Sequence, residues 1–329
     1  MGGRTVLITG ITGMVGSHLA DYILERHDST RVHGLLRWRS PRENIEHLLP
    51  RIGVEYGELR DLNSLVAVFR RVRPDWIFHL AAQSYVSTSF DAPADTLHTN
   101  VIGTVNLMDA VRLAGLDPTI HICSSSEVYG QVREDEVPIR ETNPFRPASP
   151  YAVSKVGEDM AALQYFLSYG LKTIRTRMFT HTGPRRGDVF AESSFARQIA
   201  EIEAGVRDGP VRVGNLDSVR TVADVRDTVR AYWLMMERCP PGEVYNIGGT
   251  RTLKVGEILE ALKGMARKRI VHEVDPALLR PSDVTLQIPD TTKFRSATGW
   301  APAIPLEQTL EDLLNYHRQR VRARAEAAS

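Results

Sequence analysis

Tyr151 and Lys155 stand four residues apart in the string YAVSK, within a stretch whose apolar spacing predicts a helix over residues 150–169. Side chains at that spacing project from one face of a helix. An ammonium beside a phenol favours the phenolate, and so brings a group that ordinarily titrates near pH ~10 toward the range of a general base. A second constellation, SSSE over residues 124–127, closes an apolar run near residues 120–124. A hydroxyl there can bond a reacting alcohol. Simple hydride transfer needs no carboxylate next to it, so Glu127 points to an additional proton abstraction.

Elements must hold these groups together, and the sequence alternates them. Short β-branched or apolar runs at residues 5–9, 31–36, 54–57, 76–81, 120–124 and 172–178 read as strands. Between them, amphipathic stretches at 16–26, 45–49, 62–71, about 100–114 and 150–169 read as helices. Strands that are apolar throughout, alternating with helices, predict an α/β fold with a doubly wound parallel sheet covered on both faces. Past Phe179 the texture changes to Gly/Pro/Arg-rich segments, and the chain returns to the first pattern near residues 222–247. The expected organisation is a dinucleotide-binding domain over residues 1–178 with returns near 222–247. A smaller, interleaved α/β substrate-binding lobe takes residues 179–221 and 248–315, and residues 316–329 form a charged, solvated helix end.

The first strand runs into GITGMVG, residues 10–16, which places Gly10, Thr12, Gly13, Met14, Val15 and Gly16 in a turn that opens a helix. A tight turn followed by free helix N-terminal N–H groups suits a pyrophosphate. The second strand ends in LRWRS. An acidic residue there would take a ribose 2′-hydroxyl, whereas arginine accommodates a 2′-phosphate, so Arg37 and Arg39, with Ser40 beside them, favour NADP over NAD. Glu58 and Leu59 follow the third strand, where they can address the adenine. Leu80, Ala81 and Ala82 follow the fourth, with small residues that let a cofactor lie close.

Composition excludes other classes. The 329 residues carry 41 Lys+Arg against 40 Asp+Glu, a net charge of +1, which leaves no basic surplus for nucleic acid or anionic membranes. No apolar run is long enough to span a bilayer, and the first residues show no signal-peptide pattern. Two cysteines, Cys123 and Cys239, fit a reducing compartment and have no metal-ligand spacing, so a cytoplasmic, metal-free enzyme is expected.

The strings GITGMVG, LAAQS, SSSEVYG and SPYAVSK stand in the order found in the extended short-chain dehydrogenase/reductases that act on nucleotide sugars, and the resemblance covers nearly the whole chain. RWRSPRENIEHL, HTGPRRGDVF, VGNLD and VDPALLRPSD are most similar to the GDP-mannose 4,6-dehydratases and their neighbours, the GDP-4-keto-6-deoxy-mannose reductases. The resemblance implies a Rossmann-type fold and Ser125, Glu127, Tyr151 and Lys155 as catalytic residues. It implies cofactor contacts from residues 37–40, from Leu80 to Ser84, and from His181 and Arg186. It also implies substrate contacts from Ser84, Ser125, Thr180 and Asn215. Arg185, Arg220 and Arg280 have the guanidinium geometry for a nucleotide diphosphate. The expected activity is that of a nucleotide-sugar 4,6-dehydratase, a lyase with recycled NADP, assembled as a homodimer or homotetramer. The alternatives are the 4-keto-reductase, an enzyme of a related GDP-sugar such as a heptose, and a non-catalytic NADP-sensing scaffold, which would be expected to lose the Tyr/Lys pair.

Overall fold

A computed structural model describes residues 3–328. Met1, Gly2 and Ser329, at the ends of the expected first domain and of the expected charged tail, lie outside the described residues. Seven strands form the central sheet among the described residues: β1 (Thr5–Thr9), β2 (Arg31–Leu36), β3 (Gly53–Tyr56), β4 (Trp76–His79), β5 (Thr119–Ser125), β6 (Thr173–Met178) and β7 (Val244–Ile247). Their order is β7-β6-β5-β4-β1-β2-β3, and every neighbouring pair is parallel. The chain runs from β1 outward to β3, then crosses back to β4 and builds in the other direction. Connections leaving β1 and β4 therefore diverge, and the divergence opens a crevice at the strands' carboxyl ends.

Among the described residues the helices of ten residues or more are α1 (Met14–Arg26), α2 (Leu62–Val72), α3 (Gly103–Leu113), α4 (Pro150–Tyr169), α5 (Ala191–Ala204), α6 (Val225–Arg238), α7 (Val255–Gly264) and α8 (Leu306–Ala328). Every residue of β1 is buried because both faces are covered. Val6 and Ile8 pack with Leu19 and Ile23 of α1 and with Val229 and Trp233 of α6. Leu7 faces the other way, toward Leu65 and Phe69 of α2, Leu107 and Val111 of α3, and Ala162 of α4. This is why the strand reads as a continuous apolar run.

Local departures from the periodicity have identifiable causes. The helix expected at 45–49 is a 3-10 segment, Glu46–Arg51, with Pro50 inside it. The strand expected to run to Ala81 stops at His79, because the N–H groups of Leu80 and Ala81 turn to donate to the Thr9 hydroxyl at 3.1 Å each. A π-turn, His98–Ile102, precedes α3 and takes the start of the helix expected from about residue 100.

A third apolar cluster builds the second lobe from Phe195 and Ile199 of α5, Val211 and Val213 of the short strand Val211–Val213, Ile258 and Leu262 of α7, and Leu310, Leu313 and Leu314 of α8. Helix α8 does not change character at residue 316: His317 and Val321 are buried, and Arg318 pairs with Glu203 at 2.7 Å. A solvated end beginning there is thus corrected, since the apolar stripe of the helix continues to Val321. Residues near 294–300 also depart from the expected lobe, because Phe294 and Trp300 pack in the sheet-side cluster with Tyr245 and Trp233. In the second lobe, strand Val219–Thr221 lies between Thr252–Lys254 and Leu286–Gln287, which carries Arg220 toward the crevice.

Candidate active site

A cavity of about 840 Å³ runs from the carboxyl ends of β1, β4 and β5 to the second lobe. At one end Gly10 adopts φ +70°, and a Cβ there would stand 2.9 Å from the backbone of Ala81. Only glycine suits that turn. Gly13 then caps α1, so Met14, Val15 and Gly16 present the first helical N–H groups to the cavity. A Cβ on Gly13 would meet only the Gly10 carbonyl oxygen, at 3.3 Å. The floor beside it is open.

Thr12, Arg37, Ser40, Glu58, Leu59, Leu80, Ala81, Ala82 and Ser84 also line this end. Arg39 does not: its guanidinium turns back over the ring of exposed Trp38, 5.2 Å from the ring centre, while the Ser40 N–H closes a turn onto the Arg37 carbonyl at 2.9 Å. The turn points alternate side chains of LRWRS in different directions, so of the residues expected here Arg37 and Ser40 line the cavity and Arg39 stands outside it. Arg60, which the sequence reading passed over, lines the same wall and pairs with Asp95 at 2.8 Å.

At the middle of the cavity, Ser149 caps α4 by accepting the Ala152 N–H at 3.0 Å, and Pro150 occupies the first turn. This start fixes Tyr151 at the rim and Lys155 one turn deeper, 8 % and 5 % exposed. Lys155 Nζ lies 5.9 Å from the Tyr151 ring centre and donates to the Cys123 carbonyl at 3.0 Å. Burial pushes the Tyr151 phenol up, while Lys155 and the Ser125 hydroxyl pull it down. The net direction is upward, because withdrawal from water outweighs the ammonium. Burial by itself lowers the Lys155 ammonium; Glu158, the foremost of its neighbours, reverses this, and the net direction is upward, which holds it charged.

Ser125 is the last residue of β5, and Glu127 sits in the turn just beyond it. Burial pushes the Glu127 carboxyl above its ordinary range, against the pull of Arg220 and Arg280, with Asp283 adding to the rise. A carboxyl raised in this way is suited to carry a proton. His181 is lowered to about 4 by burial and by Arg186, and its Nδ1 bonds the Phe179 carbonyl at 3.1 Å. Arg186 lies over the Phe190 ring at 3.5 Å, and its buried Nε has no partner.

The second-lobe residues divide into two groups. Arg220 and Arg280 converge on Asp283, at 3.9 and 3.7 Å, and Asn215 donates to the same carboxylate at 2.8 Å. Thr180 lines the same cavity. Arg185 lines the same cavity away from Asp283: in the left-handed region at φ +68°, it pairs with Asp21 of α1 at 2.6 Å. The sequence grouped Arg185 with Arg220 and Arg280 by residue type, and the turn separates them. Asp283, Glu192 and Gln287 also line the cavity and were missed. Asp283 closes the string VDPALLRPSD, whereas Glu192 and Gln287 carry no local signal. Among the described residues no group of three or more His, Cys, Asp or Glu is placed to hold a metal ion.

The residues present fit a phosphorylated dinucleotide. The open cradle at Gly13, the free N–H groups of α1, the unpartnered Arg186 Nε and the absence of an acidic residue at the end of β2 all favour negative charge. A glycine turn at the crossover of a parallel sheet, a Tyr-x-x-x-Lys helix and a second lobe closing the cavity define an extended short-chain dehydrogenase/reductase of nucleotide sugars. The family model described as GDP-mannose 4,6 dehydratase matches residues 7–313, and the chain belongs to that family. It is 32 % identical to the GDP-mannose 4,6-dehydratase of Yersinia enterocolitica, with 94 % of this chain and 93 % of the relative covered. It is 33 % identical to the GDP-6-deoxy-D-mannose reductase of Pseudomonas aeruginosa, with 97 % and 99 % covered. Among solved structures it resembles RMD from Pseudomonas aeruginosa complexed with NADPH, at 31 % identity, TM-score 0.84 and coverage of 96 % and 99 %.

Proposed function

We propose that this protein is an NADP-dependent GDP-mannose 4,6-dehydratase, a hydro-lyase that converts GDP-mannose to the 4-keto-6-deoxy sugar. The observation that carries this reading is Glu127, a carboxyl with a raised pKa in the same cavity as Tyr151, Lys155 and Ser125. NADP, when bound, supplies oxidation at sugar C4 and reduction at C6 and is regenerated each turnover. Tyr151 takes the proton of the C4 hydroxyl, with Lys155 favouring the phenolate and the Ser125 hydroxyl bonding the C4 oxygen. A ketone at C4 acidifies C5–H. Glu127 removes that proton and assists loss of the C6 hydroxyl as water.

Gly10, Gly13, the α1 N-terminus, Arg37, Ser40, Glu58, Leu80 to Ala82, Ser84, His181 and Arg186 serve the cofactor in this reading. Arg220, Arg280, Asn215 and Thr180 serve the GDP-sugar. The cofactor domain comprises residues 1–178 with returns near 222–247, and the second lobe takes most of the remainder. A homodimer is expected through the exposed apolar side chains Val153, Met160 and Leu167 of α4 and Leu113 of α3. Among the described residues no helix is long and apolar enough to cross a membrane. We place the enzyme in the cytoplasm, where Cys123 and Cys239 persist as free thiols.

One observation favours the reductase as the second reading: the alignment to the Pseudomonas reductase spans 319 residues with both chains nearly completely covered, whereas that to the Yersinia dehydratase spans 351. Incubation of purified protein with GDP-mannose and no added NADPH, followed by mass spectrometry of the sugar, separates the two. Loss of one water over many turnovers is the expected result. Reaction only with a 4-keto-6-deoxy sugar, consuming NADPH stoichiometrically, assigns the reductase instead.

A further inference from the structure

Two turns along α4 from Tyr151, on the same stripe as Lys155, stands a carboxylate that the reaction above does not use. Glu158 is 2 % exposed and lies i+7 from Tyr151 and i+3 from Lys155. Its two oxygens accept from Lys155 Nζ at 3.1 and 2.9 Å. With the Cys123 carbonyl at 3.0 Å, they engage the whole hydrogen-bonding capacity of the ammonium within the protein. We propose that Glu158 is a positioning residue of the active site: it holds the Lys155 ammonium and, by opposing its charge, sets the pH at which Tyr151 releases its proton.

The surroundings leave this role to Glu158. Asp159, its neighbour on the helix, is matched separately by Arg175 and Arg177 of β6 at 2.9 and 2.8 Å. His79 of β4 and His121 of β5 are both lowered to about 3 by burial and the positive field of Lys155, so they stay neutral through the working range. The Cys123 thiol of β5 and the Tyr232 phenol of α6 are pushed up by burial and are likewise uncharged. Arg186, which lines the cavity with Tyr151, is lowered by burial but as a guanidinium keeps its positive charge. Lys155 and Glu158 are accordingly the pair of opposite charges behind Tyr151. Burial pushes Glu158 up to about 7 against the pull of Lys155. Tyr151 titrates above that, so it releases its proton in the field of an ionised Glu158, which disfavours a second negative charge.

A lone buried lysine would make the phenol a stronger acid but would itself tend to lose its proton to burial. The carboxylate keeps the ammonium charged and aimed, at the cost of raising the phenol. A purely structural ion pair would leave the Tyr151 titration unmoved when its acidic member is neutralised.

The inference rests on the reading of Tyr151 as the base, and its test reads that phenol directly. Tyrosinate absorbance is followed against pH for the NADP-supplied protein and for Glu158→Gln. Each is measured as a difference from its Tyr151→Phe counterpart, so that a single tyrosine is seen. The Gln amide oxygen still accepts from Lys155 without the charge. The expected result is a Tyr151 midpoint lower by about half a pH unit or more in Glu158→Gln, with the acidic limb of kcat/KM moving in the same direction. An unmoved or raised midpoint overturns the proposal, even if kcat/KM falls. If Glu158→Gln does not fold, Glu158→Met supplies the same comparison, and failure of both to fold assigns Glu158 to the structure instead. A lowered midpoint in a protein inactive on GDP-mannose upholds the proposal and removes the dehydratase reading.

Discussion

The Ser125 hydroxyl oxygen accepts the backbone N–H of Glu127 at 3.2 Å, so the two side chains proposed to meet the sugar at C4 and C5 are fixed by one turn at the end of β5. That turn makes their separation a property of the strand end. Replacing Glu127 therefore removes a function without dislodging Ser125. Glu127→Gln is expected to leave cofactor reduction by GDP-mannose nearly intact, seen as nicotinamide absorbance in a single turnover. Release of water should fall by about 10²-fold or more. Dehydration at the unaltered rate would take Glu127 out of the mechanism.

Tyr151→Phe retains the ring and loses the hydroxyl. Turnover is expected to drop by about 10²–10⁴-fold, the usual worth of a general base, while NADP affinity by calorimetry stays close to that of the native protein. Loss of cofactor binding would place the base elsewhere.

Arg37 lines the cavity and Arg39 stacks back on Trp38, so the two arginines of LRWRS should behave differently. Arg37→Ala is expected to weaken NADP binding by about tenfold or more, the loss of one charge-assisted contact, with a smaller effect on NAD. Arg39→Ala should leave the NADP/NAD ratio unchanged. Equal effects from both would show that Arg39 turns inward on binding.

Gly10 and Gly13 are glycines for different reasons. Gly13→Val puts methyl groups into the cradle at an unstrained φ of −77° with one tight contact, 3.3 Å to the Gly10 carbonyl, so NADP binding should be lost while the melting temperature falls less than in Gly10→Ala. Gly10→Ala meets the Ala81 backbone at a positive φ and should lower the melting temperature first. Differential scanning calorimetry beside cofactor titration distinguishes them.

His121 is fully buried, bonds Thr176 at 2.8 Å through Nε2, and is lowered to about 3 by burial, His79 and Lys155. The unfolded chain takes up a proton near pH 6.5 that the folded protein refuses. Stability is thus complete above that pH and falls as pH drops from about 6.5 toward 3, by up to about 1.4 kcal/mol per pH unit for this one group. His121→Gln should flatten the slope of urea-unfolding free energy between pH 6.5 and 5 by about one proton's worth. An unchanged slope would mean that His121 protonates in the folded state.

Much of this was legible along the chain. β1 declared itself because burial on both faces leaves no polar alternation. GITGMVG and YAVSK declared themselves because their chemistry depends on spacing within one turn or one helix, which sequence encodes directly. Residues that act at the cavity from distant segments were less visible. Glu192 and Gln287 reach the site only because the second lobe folds over the sheet, and no local pattern announces that.

The parallel sheet, the glycine cradle, the Tyr151–Lys155 stripe and the Ser125–Glu127 turn are each set by neighbours at fixed spacing along the chain, and so are legible in residue order. Packing between distant segments brings Arg37 into the cavity and leaves Arg39 outside it, pairs Arg185 with Asp21 apart from Arg220 and Arg280, and buries His317 and Val321 of α8. It also decided that Asp159 is matched by β6 arginines whereas Glu158 turns to Lys155. The direction of a side chain and the partner of a buried charge depend on packing between segments far apart in the chain, and residue type does not specify either.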